Sequence, residues 1–198
     1  MTTRIRLAHP DDATVLDHVL ADAFFDDPLN DWLLPNERRR NAALQRGMGH
    51  VMRETYLPHG GAWTTEELDG VALWGKPGDP KASARRQLRG LLTFAPTFGR
   101  HLPRAMQAFG ALEKRRPTEP HWFLDILAVR PGRQGQGIGS ALVSAALAEA
   151  DRAGVPAFLG TSNARNLPLY ERSGFVVSEE FDAGPVHIWA MLRQPKSG

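Results

Sequence analysis

Residues 4–7 alternate polar and apolar side chains (Arg4, Ile5, Arg6, Leu7), the period of a short half-buried strand. His9-Pro10-Asp11-Asp12 reads as a turn that opens a helix, and Val15, Leu16, Val19, Leu20, Ala23 and Phe24 form its apolar stripe. Asp26-Asp27-Pro28 ends that helix, because proline disfavours helical backbone in the residue before it. A second helix is predicted from Glu37 to about Tyr56. Two runs, 62–66 and 71–74, flank Leu68-Asp69-Gly70 and read as a hairpin, with a loop over 75–80. Helical spacing covers 82–112, interrupted near Pro96 and Pro103, and Thr118-Glu119-Pro120 closes it.

From Trp122 to Val129 the chain is apolar except for Asp125, which predicts a buried central strand. A glycine-rich loop over 131–137 leads into a strong helix, 140–153. A strand (157–161), a short helix (167–172) and an antiparallel strand pair (175–181 and 186–192) complete the pattern. The order β-α-α-β-β-α-α-β-α-β-α-β-β predicts a mixed α/β fold: a largely antiparallel sheet with one βαβ crossover. At 198 residues the chain is expected to be a single domain, 1–198.

Composition narrows the function more than the fold. There is no cysteine, hence no disulfide framework, thiolate metal site or cysteine nucleophile, and no metal is expected. No stretch approaches the roughly 18 apolar residues of a spanning helix, and the N-terminal residues lack the apolar core of a secretory signal. A cytoplasmic protein without membrane contact is the expectation. Charge is unevenly spread: seven Asp against Arg4 and Arg6 give residues 1–36 a balance of −5, and nine Lys/Arg against Glu113 give residues 81–116 a balance of +8. The basic stretch is open to three readings: a solvated helix face, steering of an anionic ligand, or nucleic-acid binding. Its aromatics, Phe94, Phe98 and Phe109, fall at helical spacings and form no stacking ladder, and no nucleic-acid partner is expected.

The chemistry concentrates in the segment from Leu127 to Ser140. Gly132, Gly135, Gly137 and Gly139 stand between a strand and a helix that begins near Ile138. Unpaired backbone N–H groups at a helix N-terminus, cleared of side chains, form a site for phosphate oxygens, and Arg133 adds charge nearby. The loop is no Walker A sequence, since no Gly-Lys-Ser/Thr follows. It is no dinucleotide fingerprint either, since the spacing is Gly135-x-Gly137-x-Gly139. A plain tight turn remains the alternative.

Gln134-x-x-Gly137-x-Gly139 after Leu127-x-Val129 resembles the acyl-CoA signature of the GNAT family of N-acetyltransferases. A second run, Thr161-Ser162-Asn163-x-Arg165-Asn166-Leu167-x-x-Tyr170-Glu171-Arg172-x-Gly174-Phe175, is similar to that family's later motif. With His121-Trp122, Ala23-Phe24-x-x-Asp27-Pro28 and Trp32-Leu33-Leu34-Pro35, the chain looks most like the branch containing puromycin N-acetyltransferase. The resemblance implies a central, mostly antiparallel twisted sheet whose central strand pair splays apart, with flanking helices. Acetyl-CoA would be the acetyl donor, its pantetheine bonded to the main chain of Leu127 and Val129. Its pyrophosphate would lie on the amides of Gln134, Gly135, Gln136, Gly137, Ile138, Gly139 and Ser140. Asn166 would bond the pantetheine or phosphate arm, or simply cap its helix; Asn163 is the weaker candidate.

Tyr170 matches the family position that protonates the departing thiolate, a role that needs a phenol protonated at neutral pH; a packed core tyrosine is the bland alternative. Asp125, four residues before Val129 and so expected on the same strand face, is the candidate base or amine-orienting group; structural pairing and an exposed bulge are its competitors. His121 is the runner-up. Phe24, Asp27 and Trp32 are candidates to line an acidic, aromatic acceptor pocket suited to an amine, against core packing for the aromatics and turn capping for Asp27. Gly160 departs from the branch, which usually has glutamate there. The expected activity is direct transfer of acetyl to a primary amine of a small molecule, with the Leu127 amide as oxyanion donor and no acyl-enzyme. A protein lysine or N-terminal acetyltransferase, or a CoA-binding regulatory module with weak turnover, are the alternatives. The protein is expected as a monomer or homodimer.

Overall fold

The computed structural model describes residues 3–78 and 96–196. Seven strands form one sheet: β1 Ile5–Leu7, β2 Ala62–Thr65, β3 Gly70–Gly75, β4 Trp122–Val129, β5 Ala157–Thr161, β6 Val176–Ala183 and β7 Val186–Arg193. Their spatial order is β1-β2-β3-β4-β5-β7-β6. Every neighbouring pair is antiparallel except β4 and β5, which run parallel and are joined through a crossover helix. The mixed, largely antiparallel sheet with one βαβ unit is the fold that the hydrophobic pattern predicts.

Six α-helices are described: α1 Ala13–Ala23, α2 Pro28–Leu33, α3 Glu37–Val51, α4 Leu102–Glu113, α5 Ile138–Ala153 and α6 Leu167–Arg172. The predicted helical stretch over 82–95, with Phe94, lies outside the described residues. Pro28 ends α1 as expected, but it also starts α2, which the sequence pattern does not predict. A proline in the first turn gives up an N–H that no helix start can satisfy, and the Asp27 carboxylate accepts from the amides of Leu29 (3.0 Å) and Asn30 (3.3 Å). The stripe of α1 is narrower than predicted. Leu16, Val19 and Leu20 are buried, whereas Val15 is exposed.

Alternation along β3 separates the two layers. Val71 and Leu73 face α1 and the end of α3, with Leu16, Leu20, Met52 and Tyr56. Ala72 and Trp74 face α5, with Leu142, Val143, Ala146 and Leu147. A third cluster joins Phe123 and Phe158 to the β6–β7 hairpin and α4. No helix among the described residues is long and apolar enough to cross a membrane.

One ion pair ties the frame together. Arg193 of β7, 3% exposed, donates to both carboxylate oxygens of Asp151 in the last turn of α5 (2.7 and 2.8 Å) and to the Ser173 carbonyl (2.9 Å). Those hydrogen bonds hold the Asp151 carboxyl below its ordinary range. Asp151→Ala leaves the guanidinium buried without its counter-ion and is expected to cost about 2–3 kcal/mol at neutral pH by denaturant unfolding. A depressed carboxyl stabilises above its unfolded pKa and loses that contribution as pH falls through its folded value. The difference between variant and parent should therefore shrink in acid.

Candidate active site

The site starts where the sheet opens. β4 and β5 pair only at Trp122–Leu124 and Ala157–Leu159; beyond that point β5 stays with β7, and the edge of β4 from Asp125 to Val129 has no strand partner on the β5 side among the described residues. This is the splayed pair implied by the family resemblance. It leaves the main chain of Leu127 and Val129 beside a gap, where backbone donors and acceptors need a partner. Both side chains turn to the α5 face and are half-buried there.

The glycine loop closes one end of the gap. Gly132, Gly135 and Gly137 adopt φ of 83°, 77° and 81°, values that L side chains rarely take. A Cβ on Gly135 or Gly137 would touch nothing, so the surface above the loop is open. The side chain of Gln134 folds back onto the Val129 carbonyl (3.2 Å) and that of Gln136 onto the Gly132 carbonyl (3.4 Å). Ile138, Gly139 and Ser140 begin α5, whose first amides have no intrahelical acceptor. Gly139 passes close to the gap: a Cβ there would lie 3.1 Å from Leu169 and within 3.8 Å of Leu127. Arg133 pairs with Asp69 (2.9 Å), a carboxylate it shares with Arg130 (3.5 Å), so the two guanidinium groups keep a net positive charge beside the loop.

On the far side of the gap, Asn163 caps the turn before α6 by accepting from the Arg165 amide (3.1 Å). Asn166 occupies the N-cap position of α6 without a side-chain capping bond and is exposed. Tyr170 is buried, edge-on to Phe175. Burial, followed by the negative charge of Asp27, pushes its phenol well above the ordinary tyrosine range, so it is protonated at neutral pH.

The long-range surprise is Asp27. Besides capping α2, it accepts from the Ser162 hydroxyl, 3.2 Å to each carboxylate oxygen, across 135 residues of sequence. Desolvation raises its carboxyl pKa against the opposing pull of the Asn30 amide and Ser162. The α1–α2 corner is thus docked at the end of β5, next to Tyr170. Phe24 and Trp32 come with it, half-buried among core clusters; Trp32 packs with the cluster of the β6–β7 hairpin and under the Arg104 guanidinium at 5.7 Å. Ser162 stands inside the run from Thr161 to Phe175, yet no sequence signal marks it as the partner of Asp27.

Asp125 departs from simple alternation. Leu73 pairs with Ile126 and Trp74 with Leu124, so Asp125 is the extra residue of a β-bulge. Past the bulge, Leu127 and Val129 share the α5 face with Leu124, while Ile126 and Ala128 face α1. Asp125 turns to the α1 side, opposite to Val129, and accepts from the Tyr56 hydroxyl at 2.8 Å. Asp125 keeps exposed surface, but the surrounding protein displaces enough water to push its carboxyl up.

His121 is buried with both ring nitrogens engaged: Nε2 accepts from Arg116 Nε (3.3 Å), so Nδ1–H donates to the Glu119 carbonyl (2.8 Å). The described part of the basic stretch packs on aromatics. Arg115 lies 3.8 Å from the Phe181 ring centre and Arg116 4.1 Å from that of Phe123. Gly160 lets α4 approach: a Cβ there would lie 2.5 Å from Leu112, whose side chain takes the room that a larger residue would need.

A splayed parallel pair, a glycine loop opening a helix at its mouth and this strand order together are the arrangement of the GNAT fold. Residues 98–175 match the model of the Acetyltransferase (GNAT) family. An uncharacterised N-acetyltransferase of Schizosaccharomyces pombe is 26% identical, over 90% of this chain and 78% of that protein. A crystal structure described as histone acetyltransferase HPA2 and related acetyltransferase, from Corynebacterium glutamicum, is 25% identical with a TM-score of 0.74, covering 100% of this chain and 99% of that one. Arylalkylamine N-acetyltransferase 2 of Aedes aegypti shares the fold at 17% identity and a TM-score of 0.62, over 99% and 100% of the two chains. The family match and the relatives' names support a GNAT-family acetyltransferase.

Proposed function

We propose that the protein transfers an acetyl group from acetyl-CoA directly to the amine of a small molecule. The observation that carries this reading is the unpaired β4 edge beside the glycine loop, with Tyr170 and Asp27 together past the end of β5 and Asp125 at the bulge where β4 and β5 part. Leu127 and Val129 would bond the pantetheine, and the amides from Gln134 to Ser140 would hold the pyrophosphate. Asn166, free of a capping bond, reaches the same arm. The Leu127 amide would donate to the thioester oxygen as negative charge develops there.

In this reading the acceptor enters as an ammonium attracted by Asp27, with Phe24 and Trp32 lining its path, and gives a proton to Asp125. The amine nitrogen bonds the acetyl carbon, the C–S bond breaks, Tyr170 gives its proton to the leaving sulfur, and the second proton that the nitrogen loses on becoming an amide restores the phenol. Tyr170 is a weak acid in the free protein, since its phenol sits above a thiol in pKa. An ammonium beside Asp27 offsets the charge that raises it, coupling the acid to acceptor binding. A second reading has one observation in its favour: Asp27, not Asp125, bears electrostatically on Tyr170, which suits Asp27 as the base.

The branch of puromycin N-acetyltransferase supplies a natural first acceptor, although Leu112 fills the space at Gly160 that a glutamate would require. The test is calorimetric titration with acetyl-CoA, then thiol release with puromycin, arylalkylamines, polyamines and lysine peptides. Binding with release by a small amine is the expected result. Release with peptides alone overturns the small-molecule acceptor, and no binding overturns the whole reading. Tyr170→Phe should lower kcat by about 10- to 100-fold with acetyl-CoA affinity unchanged.

A further inference from the structure

Nothing in the sequence pattern marks Tyr56. It ends the π-helical turn Met52–Tyr56 that continues α3, an irregularity that recurs at functional sites. The turn carries the ring into the core beneath β3, where Tyr56 is 6% exposed and packs with Met52, Leu73 and Ile126. The backbone opposite is held close: a Cβ on Gly61 would lie 3.2 Å from the Tyr56 ring. The β4 bulge supplies the other half by turning Asp125 off the regular alternation and toward the same spot. Two backbone irregularities, 69 residues apart, thus meet at one 2.8 Å hydrogen bond, with the Tyr56 hydroxyl donating to Asp125 Oδ2.

We propose that Tyr56 is a positioning residue: its hydroxyl holds Oδ2 of Asp125 and so presents Oδ1 to the acceptor amine. The proposal rests on the reading of Asp125 as the base. An ionised carboxylate only accepts hydrogen bonds, so a phenol that donates to one oxygen selects both the rotamer and the charged form. It opposes the burial that pushes this carboxyl up. The charged groups facing Asp125 from α4 and the segment after it are Arg116, which favours the ionised form, and Glu113, which disfavours it. These two pair with each other at 3.0 Å, and Arg116 lies flat on Phe123. Among the described residues, Tyr56 is the neutral donor that acts on the carboxylate directly.

Tyr56→Phe keeps the ring and removes the hydroxyl that donates to Asp125. The acid limb of kcat/KM is expected to move up by about one pH unit, with kcat about tenfold lower and acetyl-CoA affinity unchanged. The carboxyl carbon of Asp125, followed by 13C NMR in the full chain, should titrate upward by the same amount. A lower Tm with an unmoved limb and an unmoved carboxyl titration would reduce Tyr56 to packing and overturn the proposal. An Asp125→Asn variant that keeps full turnover overturns the base reading and the positioning role with it. A limb abolished in Asp125→Asn but unmoved in Tyr56→Phe overturns the positioning role alone.

Discussion

Gly137→Val is expected to weaken acetyl-CoA binding about a hundredfold, about 2.7 kcal/mol, while the protein still folds. The two effects separate because they have different causes. At φ of 81° an L residue is strained by about 1–2 kcal/mol, and a β-branched one takes the upper end. Nothing lies within 4 Å of the added Cβ, so no core contact is lost and the strain is the whole cost to stability. The ligand side fares worse. Relief of that strain would rotate the peptide that aims the first amides of α5, and the isopropyl group would stand in the open space that the proposed site gives to the pyrophosphate. Calorimetry on Gly137→Ala and Gly137→Val should give a graded loss, alanine smaller than valine. Equal affinities across the series would remove the loop from the site.

Asp125→Asn carries the second large effect: a fall of about 10²–10³ in kcat, with acetyl-CoA affinity retained. If Asp125 is the base it must be ionised to work, so activity is expected to rise with pH through its titration, and desolvation sets that limb above the ordinary carboxylate value. The asparagine variant should lose the limb. Its stability should move the other way. A carboxyl that holds its proton more tightly in the folded chain than in the unfolded one destabilises the fold as pH rises through that interval. Removing the charge should therefore leave Tm at neutral pH unchanged or raised. Loss of activity without loss of stability separates a chemical role from a structural one. Asp27→Asn, which keeps a capping oxygen for α2, should mainly raise the KM for the amine. If it abolishes the acid limb instead, Asp27 is the base.

Much of this architecture was legible from local patterns. The apolar run 122–129 predicts a buried central strand, and β4 is one; Leu68-Asp69-Gly70 predicts the β2–β3 hairpin; the glycine spacing before Ile138 predicts a loop that opens a helix. Each is a property of neighbouring residues, where period, turn chemistry and the missing Cβ act over a few positions. α2 escaped that logic because its start, Asp27-Pro28, reads equally well as a helix end. Only the two capped amides tell them apart.

The relations between distant segments needed the folded chain. Strict alternation puts Asp125 on the face of Val129, and a single bulged residue against β3 reverses that, since one added residue turns every later side chain over. The bond from Ser162 to Asp27 and that from Tyr56 to Asp125 join residues 135 and 69 positions apart. Leu112 over Gly160 is a matter of how closely α4 packs on β5. By itself the sequence determined the order of the strands and the place of the glycine loop before α5, because backbone conformation and hydrophobic period are decided among near neighbours. The tertiary structure decided which carboxylates meet which hydroxyls, because register, bulges and helix docking bring together groups that no local pattern relates.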